Sequence, residues 1–129
     1  YSFGESFSYE INNGEKKILN CKKKGGNEVL GLEHSGEISA EIENIYKKNK
    51  VTKTLKMSSS LKFCVLAAGE ADIYAANARA YEWDIAAGHA ILEHSGGFLT
   101  DHNGKKILYG KKNYKNLPII AKRCKDISS

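Results

Sequence analysis

The chain predicts an α/β fold in which strands alternate with helices, and three observations carry that prediction. The central stretch reads strand, helix, strand, helix, with the apolar period switching between 2 and 3.6. Each helical stretch opens at a serine or aspartate, and closes at glycine or after a run of lysines. Its 129 residues, 41% hydrophobic and 27% charged, are enough for one modest core, so residues 1–129 are expected to form a single domain.

In chain order, Ser6 to Ile11 alternates apolar and polar residues, Asn12-Asn13-Gly14 turns, and Lys17 to Cys21 returns, which predicts a hairpin. A short strand, Glu28 to Leu32, follows the Gly25-Gly26 break. Ser35 is expected to cap a helix whose Ile38, Ile42, Ile45 and Tyr46 share one face, with Lys47, Lys48 and Lys50 at the end where cations suit the dipole. Val51 to Met57 reads as the next strand. Ser58, Ser59 and Ser60 open a second helix running through Ala68, with Gly69 as its C′ residue, and Asp72 to Ala75 forms a strand.

Asp84 is expected to be the N-cap of a third helix, in which Ala86, Ala87 and Gly88 let a neighbouring strand come close. Its carboxylate reads either as an ordinary cap or as one oxygen ligand for a hard cation such as Mg²⁺. Phe98 to Thr100, a turn at Asn103-Gly104 and Lys106 to Leu108 predict a second hairpin, and Pro118 to Ala121 a last strand. This succession places Ser59, Ser60 and Asp84 near strand ends, where ligands of α/β layers bind.

Composition excludes several classes. Cys21, Cys64 and Cys124 are odd in number and lack C-x-x-C spacing, which argues against a disulfide framework and a structural zinc site and fits a reducing cytoplasm. Cys64 is expected to be a buried hydrophobe. No apolar run approaches the roughly 20 residues of a membrane span, so a soluble, cytoplasmic domain is expected. The net charge of +5 implies anionic partners. However, the lysines are scattered, the runs Lys22-Lys23-Lys24 and Lys111-Lys112 read as solvated turns, and no nucleic-acid-binding motif occurs. His89 and His94 fall on different helix faces and, with His102, form no metal set. Asp101-His102-Asn103-Gly104 lacks the later glutamate of a calcium loop and reads as a turn.

Two blocks carry a resemblance. Trp83-Asp84-Ile85-Ala86-Ala87-Gly88 with Glu93-His94-Ser95-Gly96-Gly97 resembles the C-terminal signature of the inositol-monophosphatase superfamily of Mg²⁺-dependent phosphomonoesterases. The block from Ser58-Ser59-Ser60-Leu61-Lys62-Phe63-Cys64 to Gly69-Glu70-Ala71-Asp72-Ile73-Tyr74 resembles that of the 3′(2′),5′-bisphosphate nucleotidases of CysQ type. Together the blocks cover roughly Met57 to Tyr109, and a paired motif of this length is far more specific than a lone glycine pattern.

The resemblance implies a mixed sheet flanked by helices, the second, C-terminal domain of an αβαβα sandwich. It implies Mg²⁺ as cofactor with Asp84 as metal ligand, Ser59 and Lys62 in contact with an adenosine bisphosphate, and hydrolysis of 3′-phosphoadenosine 5′-phosphate to AMP; Ser60, beside them at the helix start, is a further substrate-binding candidate. The family's Asp-Pro-(Ile/Leu)-Asp-Gly-Thr run, which supplies most metal ligands, has no counterpart here, since Pro118 is the only proline. The expectation is therefore that the N-terminal metal-cage domain is absent from this chain, that the chain alone is inactive, and that it partners the missing domain or itself. Ala75-Ala76-Asn77 stands where the family shows Pro-Arg-(Phe/Leu), and Arg79, a loop residue three positions on, is the nearest substitute phosphate ligand. An inositol-phosphatase specificity, a non-catalytic nucleotide-binding remnant and a protein-interaction module remain as alternatives.

Overall fold

Strands and helices alternate through the middle of the chain as the periodicity predicts. The computed structural model describes residues 1–4, 6–22 and 27–127. The elements are β1 Ser2–Gly4, β2 Phe7–Asn12, β3 Glu15–Ile18, β4 Leu30–Glu33, α1 Ala40–Lys48, β5 Lys53–Lys56, α2 Leu61–Ala67, β6 Ile73–Ala76, α3 Glu82–His94, β7 Phe98–Asp101, a 3₁₀ turn Lys112–Tyr114, and β8 Ile119–Lys122. The Gly25-Gly26 break and Lys23 and Lys24 lie outside the described residues.

The five central strands form a mixed sheet in the order β5-β4-β6-β8-β7. β4 pairs parallel with β5 and β6, whereas β8 runs antiparallel between β6 and β7. Alternate residues of β6 face opposite ways. Ile73 and Ala75 pack with Ile42 and Tyr46 of α1, while Tyr74 and Ala76 join Phe63 and Leu66 of α2 and Ile85 and Leu92 of α3. Buried on both faces, β6 reads as a continuous apolar run, as a central strand should.

β1, β2 and β3 form a separate antiparallel sheet against the far side of α3. The Ser8 hydroxyl donates to the Ile91 carbonyl at 2.6 Å, and the Phe3 ring lies 4.8 Å from that of His94. The layers are therefore helix, sheet, helix pair, sheet. Because Ser8 points inward, the alternation of β2 turns Phe7, Tyr9 and Ile11 outward, and Ile18 pairs with Tyr9 on the same face. Phe7, Ile11 and Ile18 are exposed there.

The structure corrects five local expectations. The cap of α1 is Ser39, whose hydroxyl accepts the Ile42 N–H at 3.3 Å; Ser35 precedes Gly36, whose positive φ of 115° keeps this stretch a loop. The first hairpin gains β1, which was not anticipated. The second hairpin reduces to one bridge, Thr100 to Lys106, because the Asp101 carboxylate tightens the turn by accepting Asn103 N–H and Lys105 N–H at 2.8 and 2.9 Å and β7 pairs with β8. Asp84 is the third residue of α3 rather than its cap: Tyr81 holds the extended cap conformation, and the Asp84 carboxylate reaches back to the Tyr81 N–H at 2.8 Å. Finally, the neighbour that Gly88 admits is helix α2 and not a strand, since a Cβ there would stand 2.6 Å from the Phe63 ring.

Gly69 ends α2 at a positive φ of 74° as expected, and Cys64 is buried. Among the described residues no helix is long and apolar enough to cross a membrane.

Candidate functional site

The chain leaves β4 through α1 to reach β5 on one side, and returns through α2 to β6 on the other. The strand order thus reverses at β4, and α1 and α2 lie on opposite faces. A crevice must open outside the C-terminal ends of β4 and β6, the usual ligand position in open α/β sheets. A cavity of about 340 Å³ occupies it, and Ser59, Ser60, Lys62, Arg79 and Asp84 all line it. A smaller one of about 80 Å³ adjoins on the α1 side and shares His34 and Arg79.

Lys62 is the most constrained of the five. A lysine in the first turn of α2 reads in sequence as a solvated or ligand-facing charge, yet it is 3% exposed. Its ammonium donates to the Met57 carbonyl at 3.0 Å and the Ser59 carbonyl at 2.8 Å, and stands 4.8 Å from the centre of the Tyr74 ring. Burial, and then the charge of Arg79, push its pKa down. An ammonium has three donors, so one remains beyond the two carbonyls. Lys62 thereby holds the 57–60 turn, in which Ser59 takes a positive φ of 80° and its hydroxyl accepts the Leu61 N–H at 3.4 Å. Ser60 caps α2 without a side-chain bond, and both serines are exposed.

Arg79 is exposed and makes no hydrogen bond or ion pair among the described residues, so its fork is available to an anion. His34, at the end of β4, also lines the cavity and was not singled out in sequence; burial, then the charges of Arg79 and Lys62, lower its pKa. Asn116 completes the wall. It is 4% exposed, and neither polar atom of its amide has a partner among the described residues.

A carboxylate that does not itself line the cavity positions this wall. Glu82, in the first turn of α3, accepts the Gly110 and Lys111 N–H groups at 2.9 Å each and the Lys111 ammonium at 2.7 Å. The Asn116 N–H in turn donates to the Ala80 carbonyl at 3.0 Å. Segment 108–117 is thus clamped onto the start of α3. The Lys111 ammonium first, then the two backbone donors, hold the Glu82 carboxyl at about 2 instead of 4.5. A depressed pKa contributes stability that is present above pH 4.5 and lost as pH falls toward 2. Trp83, the only tryptophan, stands beside this segment. Its emission is expected to change between pH 4.5 and 2 in the wild type, and Glu82→Gln is expected to show the released state already at neutral pH. Superimposable profiles for the two proteins would refute the clamp.

For a metal ion the cavity offers one candidate ligand. Asp84 is exposed at the cavity edge, and with one oxygen on the Tyr81 N–H its other oxygen is free to ligate. Mg²⁺ needs near-octahedral oxygen ligation, and no group of three or more His, Cys, Asp or Glu residues gathers for an ion among the described residues. The chain's residues therefore fit one ligand of such a site and not a cage.

A mixed sheet with a cavity at the strand-order reversal, and a Trp-Asp helix start at its rim, define an α/β domain of the open-sheet class. The inositol monophosphatase family matches residues 11–125, and the chain belongs to that family. It is 37% identical over 97 residues to the 3′(2′),5′-bisphosphate nucleotidase CysQ of Buchnera aphidicola, covering 74% of this chain and 36% of that protein. The CysQ of Shigella flexneri is 29% identical over 110 residues, covering 84% of this chain and 44% of that protein. The crystal structure of CysQ from Bacteroides thetaiotaomicron superimposes with a TM-score of 0.71 at 26% identity, over 83% of this chain and 41% of that one. The chain thus spans less than half the length of each of these relatives.

Proposed function

We propose that this chain is the C-terminal, nucleotide-binding part of a phosphomonoesterase acting on 3′-phosphoadenosine 5′-phosphate, and that it releases no phosphate alone. The observation that carries the reading is the convergence of Ser59, Ser60, Lys62, Arg79 and Asp84 on one cavity at the strand-order reversal. Their chemistry suits a phosphorylated ligand. Arg79 offers a bidentate fork, Lys62 a third donor and the local positive charge, and Ser59 and Ser60 exposed hydroxyls. Asp84 is the ligand this chain contributes to Mg²⁺, which when bound activates water and neutralises the phosphoryl oxygens. The other ligands are supplied by further protein. The exposed apolar face of β2 and β3 supports that reading, since Phe7, Ile11 and Ile18 need cover from an adjoining domain or a second copy.

The test is a calorimetric titration with AMP and with 3′-phosphoadenosine 5′-phosphate in Mg²⁺, alongside Lys62→Ala and Asp84→Asn. Micromolar to millimolar binding that Lys62→Ala weakens tenfold or more is expected, with no phosphate release by any of the three proteins. Tighter binding of inositol 1-phosphate would transfer the reading to an inositol phosphatase. Phosphate release abolished by Asp84→Asn would show that the chain suffices.

A further inference from the structure

The central sheet ends at β5, which has β4 as its only neighbour among the described residues. The Lys53 and Met57 N–H groups both turn toward β4, donating to the Val29 and Glu33 carbonyls at 3.4 and 2.8 Å. Backbone groups along a strand alternate in direction, so Leu55 turns the same way, and Thr54 and Lys56 direct their N–H and C=O groups out of the sheet. The strand is short and carries lysines, a common means of keeping an edge from pairing. That does not account for the apolar surface on either side of it. On the α2 side Leu55 is in register with the fully buried Leu32, yet is itself 48% exposed. On the α1 side Thr54 is in register with Gly31, and a cavity of about 240 Å³ opens there between β5 and α1, with Ile38, Tyr46 and Val51 among its walls. On both faces the sheet is one strand short of covering its apolar edge.

Charge decides what kind of strand fits. No aspartate or glutamate occurs between Glu43 and Glu70, whereas Lys47, Lys48, Lys50, Lys53 and Lys56 are all exposed. Lys47 pairs with Glu43 at 3.2 Å, and the other four make no ion pair among the described residues. The second acidic residue of the cavity, Glu33, is 8% exposed, so the accessible charge along the edge is positive. A second copy of β5 would bring lysines against lysines, which opposes pairing. A nucleic acid would use the charge, but not the outward N–H and C=O groups or the apolar cavity.

We propose that β5 is a docking edge for an acidic, extended segment of a partner protein, which adds to the sheet as a sixth strand. Its main chain pairs with Thr54 and Lys56, one side chain enters the cavity beside Tyr46, another covers Leu55, and its carboxylates meet the lysines. Thr54, Leu55 and Lys56 do not line the crevice, so the proposal is independent of the phosphate-binding reading.

The probe is a fluorescein-labelled seven-residue peptide of alternating glutamate and valine, titrated with the full chain and followed by anisotropy. Binding is expected, and none is expected for the same peptide with lysine in place of glutamate. Methylating every second backbone nitrogen of the peptide is expected to weaken binding at least about tenfold, the equivalent of one or two lost hydrogen bonds. Thr54→Pro removes an outward N–H, leaves the bonds to β4 in place, and is expected to weaken binding to the same extent. Lys53→Glu combined with Lys56→Glu is expected to weaken it at least about fivefold. Circular dichroism establishes that each variant is folded, and if Thr54→Pro is not, the methylated peptide decides. Equal binding of the methylated peptide, or stronger binding of a single-stranded DNA of matched charge, would show that charge alone is read and overturns the docking edge. Absence of binding at millimolar peptide overturns it outright.

Discussion

Phe63→Ala is expected to destabilise the fold by about 3–5 kcal/mol, the range for removing a fully buried phenylalanine. Phe63 is 2% exposed, meets Tyr74 edge-on at 6.0 Å, and lies where α2 and α3 come closest. Gly88 makes that approach possible, because a Cβ on it would stand within 2.6 to 2.8 Å of three Phe63 atoms. Gly88→Ala is therefore expected to cost about 1–3 kcal/mol by overpacking. The two substitutions are coupled, since truncating Phe63 removes the atoms the new methyl group would strike. Urea midpoints for both single variants and the double variant measure this. Additive losses would mean the helices do not meet as described, and a Phe63→Ala loss below about 1 kcal/mol would mean the site can collapse. Phe63 also lines the cavity, so the packing that holds the helices together also shapes the ligand site.

The Gly88 contact shows how far the chain could be read without coordinates. The Ala86-Ala87-Gly88 run signals a close approach, and one occurs, but nothing local to the run identifies the partner as a helix. In α1, Ile42, Ile45 and Tyr46 mark the helix, yet Ser35 and Ser39 are both plausible caps upstream. The choice falls on Ser39 through the conformation of Gly36 and the packing of Ile38 from the loop. Asn103-Gly104 marks a real turn. The partner of β7 is instead chosen by the burial of Leu99, Ile119 and Ala121, a non-local term absent from any short window.

The five candidate residues line one cavity because each sits at or beside an element boundary, and the parallel part of the sheet brings those boundaries to one end. What escaped was what depends on segment 108–117 folding over α3. Glu82 reads as an ordinary acidic residue of a first helical turn, and its three donors arrive from 28 and 29 residues away. Asn116 carries no sequence signal, because an amide's importance lies in having no partner once buried. The lysines at 111 and 112, read as solvated, divide: Lys111 joins the clamp, and Lys112 stays exposed. Lys62, which the resemblance marks as a nucleotide contact, lines the cavity, and its bonds to Met57 and Ser59 show that it also shapes the turn it belongs to.

Asp72 belongs to the sequence block that resembles the nucleotidases, and the structure gives it a role away from the cavity. It precedes β6, at the end of the strand opposite the crevice, where one carboxylate oxygen accepts the Leu30 N–H at 2.7 Å and the other the Arg123 Nε–H. The Arg123 N–H donates to the Asp72 carbonyl at 3.1 Å, so the pair ties β4, β6 and β8 together at their common end. Both side chains are buried, and the Arg123 Nη2 has no partner among the described residues. Removing the carboxylate strands a buried guanidinium, and Asp72→Ala is expected to cost about 3–5 kcal/mol. A buried ion pair contributes less than its rupture suggests, because both charges were desolvated to form it. Asp72→Ala combined with Arg123→Met is therefore expected to recover at least half of the loss. Denaturation midpoints of the two single variants and the double variant decide the matter: a double variant as unstable as Asp72→Ala alone would mean that the lost pair, and not the stranded charge, carries the stability, and additive losses would mean that the two groups do not interact. Nucleotide affinity, measured where each variant is folded, is expected to stay within about twofold of wild type, since neither group lines the cavity.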